Sequence, residues 1–105
     1  MTNTTDIKEP VKKKIIEGMV LVADTGASIE KAVEEENESV ATLLALGLLG
    51  VASEIDDQLN KFLALGGTMD EIESEIKVAI EGKEMHYMIG FAAVTAMAKT
   101  LEGAE

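Results

Sequence analysis

Apolar residues along this chain recur at helical spacing, and polar punctuation divides them into segments. Val11, Ile15, Met19 and Val22 fall on one face, the recurrence of an amphipathic helix. Asp6 is placed as its N-cap, with Glu9 three residues on and Pro10 in the first turn, where a missing N–H costs little. That helix is expected to run to about Ala23 and to end at Asp24-Thr25-Gly26. Ser28 then caps a short acidic helix, Ile29 to about Glu36, with Ile29, Ala32 and Val33 on one side. Residues 1–6 are polar and expected to be frayed or disordered.

The next segment, about Glu38 to Ala64, changes character midway. Its first half is apolar nearly all round, as a helix buried on several sides should be. Its second half sets Ile55, Leu59, Phe62 and Leu63 against Glu54, Asp56, Asp57 and Lys61. Gly47 and Gly50 permit close approach of another helix, and a bend near Gly50 would split the segment into two helices. Gly66-Gly67 closes it as a C-terminal cap. Thr68-Met69-Asp70-Glu71 has the spacing of a capping box. Ile72, Ile76, Ala79 and Ile80 then form an apolar stripe up to Gly82. The last helix, about Lys83 to Leu101, carries Met85, Met88, Ile89, Ala92, Ala96 and Met97, with small residues at Gly90, Ala92, Ala93, Ala96 and Ala98. No alternating strand pattern competes and no internal repeat is present. The reading is all-α: about five helices in one domain over 1–105, built around an antiparallel helix pair.

Composition sharpens this picture. The chain has 105 residues, of which 47% are hydrophobic, yet only Phe62, Phe91 and Tyr87 are aromatic. So short a chain has little interior in which to hide several apolar helix faces. A homo-oligomer is therefore expected. The net charge is −11 and there is no Arg. Nucleic acid and anionic membranes would both be repelled. Lys12-Lys13-Lys14 is read as a solvated helix face rather than an anion site. With no Cys, disulfides and thiol chemistry are excluded. The N-terminal residues lack the apolar core of a signal peptide. Val40–Ala52 is shorter than the ~20 residues a bilayer span needs. A cytoplasmic location is expected.

Phe62-Leu63-Ala64-Leu65-Gly66-Gly67-Thr68-Met69-Asp70-Glu71-Ile72, placed between an apolar helix and an Ala-rich final helix, resembles the turn region of the carboxymuconolactone decarboxylase / alkylhydroperoxidase AhpD family. The resemblance covers roughly Glu38 to the C-terminus. It implies an AhpD-like helical domain assembled as a trimer or hexamer. The peroxidase branch carries a C-x-x-C-x-x-H motif before this turn. Counting back from Gly66, the two cysteine positions are Ala52 and Ile55, and the histidine position is Gln58. The glutamate of the family's proton relay would fall near Val40, with Glu38 the nearest acid. Dithiol peroxide reduction needs a thiolate nucleophile and a resolving thiol, so the resemblance implies the fold without the peroxidase activity. No decarboxylase constellation is visible either.

The remaining candidates for chemistry are few. His86 is the sole histidine and Tyr87 follows it. Glu54, Asp57 and Gln58 share one flank of the helix on which the family keeps its site, at spacings that set Glu54 beside the other two. Paired acids there could bind a cation or share a proton, although an ordinary solvated flank has the same pattern. A single His makes no zinc site unless folding brings carboxylates to it. The acidic run Glu34-Glu35-Glu36-Asn37-Glu38 cannot converge on one ion, because consecutive helical residues point different ways. Met85, Met88 and Met97 suit a plastic groove, but core or subunit interface is the ordinary reading of such a set. No cofactor or metal is expected, and the small-molecule ligand is unidentified. The function expected is that of a binding or assembly module. Two alternatives stand beside it. One is a non-thiol enzyme acting on a small cytoplasmic metabolite through His86, Tyr87 and the Glu54/Asp57 acids. The other is a monomeric helical interaction protein presenting its Ala/Met face to a partner helix.

Overall fold

The computed structural model describes residues 4–103, with side chains from Ile7 onward. Four helices occur in the order α1 (Thr4–Glu34), α2 (Glu38–Ala64), α3 (Met69–Ala79) and α4 (Glu84–Gly103). No strand occurs among the described residues. The all-α expectation holds, with four helices in place of five.

The missing boundary is the one expected at Asp24-Thr25-Gly26. The helix runs straight through it, so the two N-terminal helices are one. Gly26 is a contact point rather than a stop. It is buried against α4, and a Cβ built on it would sit 1.9 Å from the His86 carbonyl oxygen. Gly90 on α4 reciprocates, since its Cβ would lie 2.5 Å from the Val22 carbonyl oxygen. The cost of glycine in a helix interior, about 1 kcal/mol, is offset by this backbone-to-backbone approach. Asp6 is also not the cap, because helical structure begins at Thr4 and takes in Thr4–Asp6. Pro10 accordingly sits inside the helix rather than in its first turn. The expectation of disorder at residues 1–3 lies outside the described residues.

Helix α1 ends at Glu34 with its closing residues in a six-to-one turn. Asn37 N–H donates to the Ala32 carbonyl (2.8 Å) and Glu36 N–H to that of Val33 (3.0 Å). Glu36 carries the left-handed backbone this motif needs, at φ 57°. Asn37 then caps α2, its side chain accepting from the Val40 N–H at 3.3 Å. The short turn folds α2 back antiparallel along α1.

Helix α2 is continuous through Gly47 and Gly50, with no division at Gly50. It ends as expected. Gly66 has φ 92°, Gly67 N–H donates to the Phe62 carbonyl (3.0 Å), and Gly66 N–H donates to that of Leu63 (3.0 Å). The Thr68 hydroxyl accepts from Glu71 N–H at 3.3 Å. The Glu71 carboxylate pairs with Lys8 of α1 at 3.3 Å and is also stabilised by the Thr68 backbone N–H, the returning half of the box.

Helix α1 touches all three others and forms the spine of the fold. The core runs along it through Val11, Ile15, Val22 and Ile29, meeting Leu48, Ile55 and Phe62 of α2 and Ile72 of α3. Phe62 is fully buried beneath Gly67, and the Lys8 ammonium lies 5.9 Å from its ring centroid. Helix α4 packs through Tyr87, Ile89, Ala93 and Val94, which stay partly exposed.

Within one protomer α2 is not buried on several sides. In its most apolar 18-residue window only 11% is buried, and Leu43 is 67% exposed, with Val40 and Leu46 also open. A four-helix chain this thin covers one side of α2 and leaves the other bare. Leu63, Val33, Met85 and Met88 are likewise exposed.

Candidate functional site

Glu54 and Gln58 of α2 line a groove between α1 and α2. Gly18 of α1 creates it: with no side chain there, Ile55 packs onto the α1 backbone, and a Gly18 Cβ would meet Ile55 Cγ1 at 2.6 Å. Val51, Gly47 and Gly50 continue the apolar floor, Lys14, Glu17 and Glu54 stand at the rim, and the space measures about 500 Å³.

Gln58 stands where the resemblance would put a histidine. Its amide Nε2 donates to Glu54 Oε1 at 3.2 Å, one helical turn back, as their spacing predicts. Its Oε1 is shielded from solvent and has no hydrogen-bond partner among the described residues. Asp57, adjacent in sequence, is exposed and does not line this groove. The flank therefore separates into a Glu54–Gln58 pair that lines the groove and an Asp57 side chain that does not.

His86 and Tyr87 do not join them. His86 sits on the α1–α4 seam, half-exposed, with Nε2 3.8 Å from Glu30 Oε1. Tyr87 turns into a second space, a cleft bounded by α1, α2 and α4. Its hydroxyl donates to Met19 Sδ at 3.5 Å, and its ring stacks on Phe91 with centroids 6.3 Å apart and planes at 26°. Burial pushes the Tyr87 phenol above its usual 10.0. Met19, Val22, Ile55, Leu59 and Phe91 wall this cleft, Asp56 is its other polar lining residue besides Tyr87, and its volume is about 160 Å³. Ile55 lines both spaces and stands between them. Ala52, which the resemblance would align with a cysteine, faces the cleft.

The five residues singled out by sequence thus occupy separate places: Glu54 and Gln58 in the groove, Asp57 on the surface, His86 on the seam and Tyr87 in the cleft. Among the described residues no group of three or more acids or histidines is arranged to hold a metal. Sequence reasoning missed Lys14, Glu17, Glu30, Met19 and Asp56. Gly18, the one glycine of the helix expected up to Ala23, was the available signal for the groove. Nothing local announced the cleft, because its walls come from three helices.

Comparison with protein-family models, with curated proteins and with solved structures returns no match.

Proposed function

We propose that this chain is a helical assembly module, an AhpD-like domain without thiol chemistry, whose working form is a cytoplasmic homo-oligomer. The observation that carries this reading is the bare apolar side of α2, where Val40, Leu43 and Leu46 are exposed beside Gly47 and Gly50, with exposed Leu21 of α1 alongside the groove. From Ser39 to Ser53 this helix carries no charge. A two-fold or three-fold contact through it sets apolar surface against apolar surface and keeps most of a net charge of −11 away from the interface.

A lipid partner fits less well. Helix α2 as a whole is long and apolar enough to cross a bilayer by length and composition. Its uncharged stretch, however, is about 22 Å long at helical rise, short of the ~30 Å hydrocarbon layer. Glu38 closes one end, and Glu54, Asp56 and Asp57 close the other. The non-thiol enzyme reading draws less support as well, because within one protomer His86 and Tyr87 do not line the groove that holds Glu54 and Gln58.

Sedimentation equilibrium of the purified chain tests the assembly reading. The expected mass is three or six times 11.2 kDa, with Leu43→Glu reducing it to that of a folded monomer. A wild-type chain that stays monomeric at tens of micromolar overturns it. Robust thiol-dependent peroxidase activity would overturn the loss of the parent chemistry.

A further inference from the structure

We propose that the cleft between α1, α2 and α4 is a binding site for a small amine cation with a compact apolar body, of the size of an arylmethylamine. This goes beyond the assembly reading and does not depend on it.

The size comes first. A cleft of about 160 Å³ compares with the ~150 Å³ apolar cavities that accommodate a benzene ring. Its walls are Met19, Val22, Ile55, Leu59, Phe91 and Val94, which offer an apolar ring or branched chain dispersion contact and release from water. Met19 and the stacked Tyr87–Phe91 pair add polarisable and quadrupolar surface, which favours an aromatic ring or a cation held against it.

The polar groups then select the ligand's charge. Only two lining residues are polar, Asp56 and Tyr87. The Tyr87 hydroxyl already donates its hydrogen bond to Met19 Sδ, so what it presents is an oxygen lone pair. Its partly buried phenol stays protonated at neutral pH. Asp56 is exposed and enters no ion pair among the described residues. Both groups are acceptors. A ligand carboxylate would meet Asp56 with like charge, and a neutral hydroxyl would give it a hydrogen bond without offsetting its charge. A protonated amine supplies donors to both. The net charge of −11 also raises the local concentration of cations.

Benzylamine is the probe, with benzyl alcohol and benzoate as its neutral and anionic counterparts. Methyl-resolved NMR titration follows Met19, Val22 and Ile55. Benzylamine is expected to shift those methyls in the millimolar range or tighter. Benzyl alcohol is expected to bind about fivefold more weakly, the scale of one partly exposed charged contact, and benzoate not at all. Asp56→Asn, an isosteric change at an exposed position, should bring benzylamine down to the affinity of the alcohol. Ala52→Leu, which fills the cleft while leaving Asp56 in place, should abolish both. The proposal is overturned if the three probes bind alike, if Asp56→Asn leaves the preference intact, or if Ala52→Leu leaves binding intact. It is equally overturned if the Met19 and Ile55 methyls do not respond, as they would not if a side chain of a second copy filled the cleft.

Discussion

Gly26 and Glu36 show how a single residue sets helix geometry here, from opposite directions. Gly26 has ordinary helical backbone but no room for a side chain, because the His86 carbonyl occupies the space of its Cβ. Relief requires two helix backbones to part, so Gly26→Ala is expected to destabilise the fold by about 3 kcal/mol, at the upper end of overpacking costs. Glu36 has room but the wrong chirality for its φ of 57°. A non-glycine residue in left-handed backbone costs about 1–2 kcal/mol, and Glu36→Gly should recover roughly half of that after its own unfolded-state entropy is charged. Urea denaturation of both variants checks the pair; a Gly26→Ala protein as stable as wild type would show that α4 is not seated on α1 at this point. Sequence alone reads Gly26 as a terminator because composition records that a glycine is present and not whether it serves a turn or a contact. Gly66, whose φ is 92°, was legible because the Gly-Gly-Thr-x-x-Glu string carries its own local geometry. Gln58 was legible as Glu54's neighbour for the same reason.

At the scale of elements, α3 depends most on charge. It docks on α1 through Ile72 and through two ion pairs, Lys8–Glu71 and Lys12–Glu75, the latter at 2.9 Å with Lys12 also held by Glu9 at 3.0 Å. Lys12 is therefore no member of a freely solvated lysine face; its side chain is only 14% exposed. Partial desolvation pushes the Glu71 carboxyl upward, but the hydrogen bond and charge of Lys8, with the Thr68 contact, carry it below its usual 4.5. A carboxyl depressed on folding contributes stability that is present above 4.5 and is lost as pH falls through the lower folded value. The hydrogen bonds from Glu75 and Glu9 raise Lys12 above 10.5, so its contribution is present below 10.5 and is lost as pH rises through the folded value. Between those limits α3 should stay docked. Amide exchange of Ile72 and Ile76 is expected to accelerate as pH falls below 4.5 and through the lowered Glu71 value, with Glu71→Gln removing the acid-side change and high salt weakening the docking at neutral pH. Exchange at Ile72 that ignores both pH and Glu71→Gln would place the docking in apolar contact alone. The helix itself was readable from its stripe and Thr68 cap. Its attachment was not, because Lys8 and Lys12 lie more than sixty residues from their partners and carry no periodic signal.

The whole molecule is a thin slab, 54 × 36 × 20 Å, with a radius of gyration of 15.3 Å, where a compact chain of this length would have about 13 Å. Its accessible surface is 6848 Å², against about 5,700 Å² for a compact monomer of its mass. The excess is larger than the ~800 Å² each partner gives to a standard interface, and the exposed hydrophobics of α2 lie on that surface. This shape was the least legible property. An all-apolar helix segment reads the same whether its own chain or another copy covers it, and only the small number of helices available to wrap α2 decides. The glycines of that face make the difference measurable. Nothing lies within 4 Å of a Cβ built on Gly47 or Gly50, so in an isolated chain Gly47→Ala with Gly50→Ala should stabilise by about 1 kcal/mol each through helix propensity. In an assembly whose neighbouring helix rests on that glycine pair, the same methyls force the helices apart. The double variant is therefore expected to unfold at higher temperature than wild type in dilute solution and at lower temperature at concentrations where wild type is assembled, since association stabilises the native state by mass action. Thermal melts across a hundredfold range of concentration read the crossing directly. Stabilisation at every concentration would mean that this face meets no close-packed copy, and the bare side of α2 would then have to be covered by a different protein.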